Sequence, residues 1–178
     1  MQKKSTTYIV QSAIIATLYV CLTLLQNFLL PGTASMAVQF RASEVLTVLA
    51  LFTPSAIPGL TIGCLLANLI TMSALGPYDM IFGTLASFIA VALMYRFRNV
   101  RLFSLPLLSA LMPALANGIL VGLEIELFFI EGPFHFESFL LQGGLVALGE
   151  LGVLFILGLP LSRLIEKKGF DRIFLAKK

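Results

Sequence analysis

The chain has 178 residues, of which 58% are hydrophobic and 12% charged, with a mean hydropathy of +0.98. A soluble domain carries about 25% charged residues, so this composition excludes a water-soluble globular domain and fits about six membrane spans of roughly 20 residues. The formal charge of +3 does not point to nucleic acid, because the basic residues fall at the ends of apolar segments, and no Gly-rich phosphate loop, HExxH or CxxC offers a cofactor or metal site.

The apolar runs and their breakers predict one integral domain over 1–178 with spans at 7–30, 38–53, 57–75, 79–97, 104–129 and 138–166. Lys3 and Lys4 precede the first span without a small-residue cleavage site, which reads as an uncleaved span. Within it Ser12 and Ala16, and in the next frame Ala13 and Thr17, are small residues four apart on which another helix can lie closely. The stretch Gln39-Phe40-Arg41-Ala42-Ser43-Glu44 follows. Arg41 and Glu44 can pair along one helical turn, with Ser43 as a cap; equally, the planar guanidinium can grip a flat, hydrogen-bonding ligand. The second span is short unless residues 37–42 are also helical.

The third span carries Cys64, Asn68 and Thr71 on one stripe, and Asp79 is placed to cap the fourth. Cys64, like Cys21, reads as a reduced packing residue. After a basic connection at Arg96, Arg98 and Arg101, the fifth span aligns Asn117, Val121, Glu124 and Phe128. An acidic loop containing the single, solvated His135 leads to the sixth, where Gln142, Val146 and Glu150 recur at four-residue spacing. Eleven of the 12 basic residues lie on the face shared by the two termini, which the positive-inside rule makes cytoplasmic. Arg41 is the exception, on the outer face with Glu44, Asp79, Glu131 and Glu137.

A carboxylate at mid-bilayer costs about 2.5–3.5 kcal/mol, so Glu150 and Glu124 need a donor-rich or cationic partner that their own spans lack. The converging stripes describe a small polar pocket open to the outside. Phe40, Tyr78, Phe128 and Phe139 are placed to stack on a planar ligand or to anchor at the interface. Asn68, Asn117 and Gln142 read alternatively as interhelical glue worth about 1 kcal/mol each.

Gln39-Phe40-Arg41-x-Ser43-Glu44, Ala56-Ile57-Pro58-Gly59-Leu60-x-Ile62-Gly63-Cys64, Asp79 with Phe82-Gly83, Asn117 to Glu124, and Gly149-Glu150 with Gly158-Leu159-Pro160 resemble, in order, the QueT family. These are the queuosine-precursor S components (substrate-binding subunits) of energy-coupling factor (ECF) transporters. The resemblance implies an all-α bundle of six transmembrane helices, both termini cytoplasmic, in a prokaryotic cytoplasmic membrane. It implies a 7-deazaguanine substrate and, as partners, a transmembrane T component and two cytoplasmic ATPases, with no enzymatic activity or cofactor in this chain. The expected ligand-binding set, drawn from the polar stripes and the Gln39–Glu44 stretch, is Gln39, Phe40, Arg41, Glu44, Asn68, Tyr78, Asp79, Asn117, Glu124, Gln142 and Glu150. The expected partner face is Ser12, Ala13, Ala16 and Thr17, and an acidic mouth favours the aminomethyl form of the substrate. Competing readings are an S component for thiamine or riboflavin, an intramembrane enzyme using Glu124 and Glu150 as acid and base, and a structural subunit of a membrane complex.

Overall fold

The computed structural model describes residues 2–33, 40–71, 76–103 and 105–169. Its regular elements are α1 (Gln2–Leu29), a 3₁₀ helix (Ala42–Leu51), α2 (Ala56–Thr71), α3 (Pro77–Phe97), α4 (Leu107–Phe128), α5 (Phe136–Val153) and α6 (Leu159–Lys167). A π-helical turn, Leu154–Gly158, joins the last two into one rod. α1, α3, α4 and the α5–α6 rod are long and apolar enough to cross a bilayer; the 3₁₀ helix and α2 are shorter apolar helices. The chain is an all-helical, multi-pass membrane protein.

The segment expected as a short second span is the hub of the bundle. Its 3₁₀ winding draws ten residues out to about 20 Å, where an α-helix would reach only about 15 Å. It touches every other helical element, and Ser43, Glu44 and the run from Leu46 to Ala50 are all buried. Three residues per turn align Glu44, Thr47 and Ala50 in one row, and the Thr47 hydroxyl donates to the Glu44 carbonyl at 2.7 Å. A run this long is uncommon; here packing on all sides supplies what the poorer hydrogen-bond geometry does not.

Backbones approach closely at two crossings. A Cβ on Gly63 of α2 would stand 2.8 Å from the Tyr19 Cβ and 3.1 Å from the Ala16 Cα of α1, and one on Gly59 would stand 2.9 Å from the Ser12 carbonyl. Ser12 and Ala16 therefore pack inside the chain, against α2, whereas Ala13 and Thr17 face outward. At the second crossing, a Cβ on Gly122 of α4 would lie 2.6 Å from the Gly143 Cα of α5, and one on Gly143 would strike the Gly118 carbonyl. The α5–α6 rod widens into its π turn just before Pro160, whose ring and missing N–H disturb the bond to the carbonyl four residues earlier.

The larger apolar core, with Leu49, Leu60, Met94 and Ile165, occupies the end of the bundle where α1 begins and α6 ends. The other end, here called distal, is where the polar residues meet.

The α4–α5 crossing yields a paired test. Gly143→Ala should lower stability by about 1–3 kcal/mol through overpacking, read as a reduced melting temperature in detergent. Gly144→Ala, whose added Cβ meets nothing within 4 Å, should melt like the wild type.

Candidate functional site

A polar ladder between α1 and the entry to the 3₁₀ helix organises the distal end. Gln26 uses both ends of its amide: Nε2 donates to the Phe40 carbonyl and, at 3.0 Å, to the Thr33 hydroxyl, while Oε1 accepts from the Ala42 N–H at 2.7 Å. The Thr23 hydroxyl meets Ser43 Oγ at 2.9 Å, and the Tyr19 hydroxyl donates to Glu44 Oε1. Tyr19, Thr23 and Gln26 lie at i, i+4 and i+7, one face of α1, and all three are buried. Their grip on residues 40 and 42–44 fixes where Arg41 points.

Arg41 Nη2 pairs with Asp79 Oδ2 at 2.8 Å, with side-chain exposures of 11% and 0%. This corrects two sequence expectations. Arg41 does not pair along its own turn with Glu44, and Asp79 does not cap α3. Gly76 holds the cap position, and Asp79 sits in the first turn facing Arg41 across the bundle. Ser43 likewise does not cap; its hydroxyl is spent on Thr23. Gly83, one turn below Asp79, leaves room for its carboxylate, which a Cβ there would strike. Asn68 of α2 donates to the Asp79 carbonyl at 2.8 Å, so three elements converge on this pair.

Beside it stand three more buried carboxylates. Glu150 of α5 accepts from Asn117 Nδ2 of α4 at 2.9 Å, a contact set by the glycine crossing of those helices. Glu44, Glu124 and Glu150 are 1%, 0% and 4% exposed. Arg41 is close enough to act on all three electrostatically. Glu44 Oε2, Glu150 Oε2 and both oxygens of Glu124 have no hydrogen-bond partner among the described residues. A buried acceptor without a partner costs about 1–3 kcal/mol, more when charged. The cluster therefore presents one guanidinium, already engaged by Asp79, and several carboxylate oxygens free to accept.

Of the residues expected at the site, Arg41, Glu44, Asn68, Asp79, Asn117, Glu124 and Glu150 come together here. Phe40 is half exposed, with its ring within 3.2 Å of a Cβ on Gly152 of α5. Tyr78 stacks on Phe128 at 4.0 Å, with Phe82 and Phe129 around them, as an aromatic group beside the cluster. Gln142 is half-buried, two helical turns along α5 from Glu150. Thr71 bonds its own helix at the Ala67 carbonyl, and Gln39 lies outside the described residues. Glu126, not among the expected ligands, accepts from the His135 N–H at 2.8 Å and so ties the α4–α5 loop to α4. The ladder residues Tyr19, Thr23 and Gln26 were also missed, although a polar stripe in an otherwise apolar span was there to be read.

The sequence model of the QueT transporter family matches residues 9–167. The chain is 32% identical over 179 residues to the queuosine precursor transporter QueT of Lactococcus lactis subsp. cremoris, covering 96% of this chain and 99% of that protein. No solved structure matches it significantly.

Breaking the buried ion pair from either side should be costly. Arg41→Gln and Asp79→Asn should each destabilise by about 3–5 kcal/mol, since each strands a buried charge. The double variant should recover at least about 1 kcal/mol relative to the sum of the two. A double-mutant cycle on unfolding of the purified protein checks this, and strict additivity would show that the two groups do not interact.

Proposed function

The chain belongs to the QueT transporter family, and on that premise we propose that it is the substrate-binding subunit of an ECF-type importer for a queuosine precursor. The substrate is a 7-deazaguanine in its aminomethyl form. The observation that carries this reading is the set of unpartnered carboxylate oxygens on Glu44, Glu124 and Glu150. A guanine-like edge offers adjacent N–H donors that one carboxylate accepts in a bidentate pair. Glu150, oriented by Asn117, takes that edge. Glu124, with both oxygens free, takes the aminomethyl cation. The remaining N–H groups of Arg41 serve the ring carbonyl, and the Tyr78–Phe128 group lies where a planar base enters.

The distal end, with this cluster, faces outward, and the end carrying the basic residues faces the cytoplasm. That orientation follows the distribution of Lys and Arg. It makes the chain a receptor loaded from outside and emptied by the work of partner ATPases. The partner T component docks on the exposed side of α1. A groove of about 410 Å³ runs there between Ile9, Ala13 and Ala16 of α1 and Pro58, Ile62 and Leu66 of α2, and Thr17 extends its small-residue side. In this arrangement Ser12 and Ala16 shape the groove while holding α2.

Two experiments test the reading. Glu150→Gln replaces one acceptor by a donor aimed at the ligand's own donors and should cost on the order of 2–3 kcal/mol, about 30- to 150-fold in dissociation constant for aminomethyl deazaguanine. Glu124→Gln should weaken the aminomethyl compound and spare its neutral nitrile analogue. Calorimetry on the purified chain reads both, and wild-type affinities would remove these residues from the site.

Separately, Ala13→Leu should abolish transport in cells that carry the partner subunits while leaving ligand affinity of the isolated chain unchanged. Normal transport would move the docking face elsewhere.

A further inference from the structure

At the end of the bundle opposite the carboxylate cluster, one arrangement is not used by substrate binding. The α3–α4 connection is a tight hairpin turn. The Leu102 N–H donates to the Leu105 carbonyl at 2.8 Å, and the Leu105 N–H returns the bond to Leu102 at 2.9 Å. Phe103 at its tip has φ of 51°, a left-handed conformation that side-chain-bearing residues rarely adopt. Its ring is 92% exposed. In water a strained backbone that holds an aromatic ring outward gains nothing, whereas at a bilayer surface the ring sits at headgroup level.

Leu105, at the base of the hairpin, forms part of the wall of a second groove of about 410 Å³, whose other walls are Phe155 of the π turn and Leu159, Pro160 and Arg163 of α6. Two nearby arginines are engaged. Arg101 is bonded to Glu166, and Arg98 lies 3.8 Å over the Tyr95 ring and donates to the Tyr95 carbonyl. Arg163 is exposed and has no ion pair among the described residues. A largely apolar groove thus carries, at Arg163, a guanidinium without an ion pair among the described residues.

We infer that this groove binds an anionic phospholipid, with an acyl chain along Leu105, Phe155 and Leu159 and the phosphate on Arg163. The walls are apolar, so within a membrane an acyl chain fills them at no cost in polar contacts. The planar fork of arginine matches phosphate oxygens in pairs. A zwitterionic headgroup brings its own cation next to Arg163, whereas an anionic one does not, and the basic bias of this end of the chain adds to the attraction. A protein partner on the same face would have to bring a carboxylate to Arg163.

Native mass spectrometry of the full chain, released from detergent containing equal phosphatidylglycerol and phosphatidylcholine, tests the inference. One phosphatidylglycerol should be retained per chain in preference to phosphatidylcholine. Arg163→Gln should reduce that retention about tenfold, while Lys168→Gln, which removes a nearby exposed cation, leaves it unchanged. Added glycerol phosphate should not displace the lipid. Equal retention of the two lipids, or equal loss in the two variants, would overturn the inference in favour of diffuse attraction. Displacement by glycerol phosphate would make the site one for a free anion. Absent lipid retention, together with loss of co-purifying transporter subunits in Arg163→Gln, would assign the groove to a protein and equally overturn it. Unchanged melting of Arg163→Gln in phosphatidylcholine micelles checks that the fold is intact.

Discussion

The distal half of this protein depends on how α1 seizes the start of the 3₁₀ helix. Backbone groups within a bilayer must find partners inside the protein, and the 3₁₀ helix begins after Arg41 with no side-chain cap of its own. Gln26 fills that need, taking the Phe40 carbonyl and the Ala42 N–H with one amide. Arg41, held between those two contacts, is delivered to Asp79, and Glu44 is delivered to Tyr19. The 3₁₀ helix that follows touches every other helix, so its entry point sets the position of the cluster as a whole. The same continuity runs to its other end, where the Thr53 and Ser55 hydroxyls both reach Gln11 of α1.

The second constraint is the absence of side chains where helices cross. Glycines at 118, 122 and 143 bring α4 and α5 together closely enough for Asn117 to orient Glu150, and Gly83 gives the Asp79 carboxylate its place. Close packing and polar function are thus one arrangement. What packing leaves over is a group of carboxylate oxygens without donors among the described residues. Buried acceptors left in this way are costly within a membrane, and the proposed substrate, with several N–H groups and a cation, is chosen to relieve that cost.

Much of this was legible in the sequence. Apolar runs with Pro and Gly breakers marked an all-helical membrane chain, and the cost of intramembrane charge singled out Glu124 and Glu150, both of them buried. The pairing was not legible. Arg41 and Glu44 are spaced to meet on one turn, but 3₁₀ winding and the pull of Asp79 and Tyr19 from other helices separate their roles. Asp79 looked like a cap because its position in α3 suits one; a partner 38 residues away leaves no local trace. The small residues of α1 split by face, Ser12 and Ala16 inward against the glycines of α2, Ala13 and Thr17 outward, and spacing alone cannot tell one frame from the other. Tyr19, Thr23 and Gln26 were overlooked because each is individually tolerable in a membrane helix; only their shared face marks them.

The buried carboxylates at the distal end are the proposed receptor for a donor-rich deazapurine. Mass spectrometry of the small molecules released from the protein after purification from its own membrane tests it most directly. The account predicts a 7-deazaguanine carrying an aminomethyl group, at one per chain. Release of thiamine or a flavin, or a protein that carries no base and takes up none when aminomethyl deazaguanine is supplied, would contradict it.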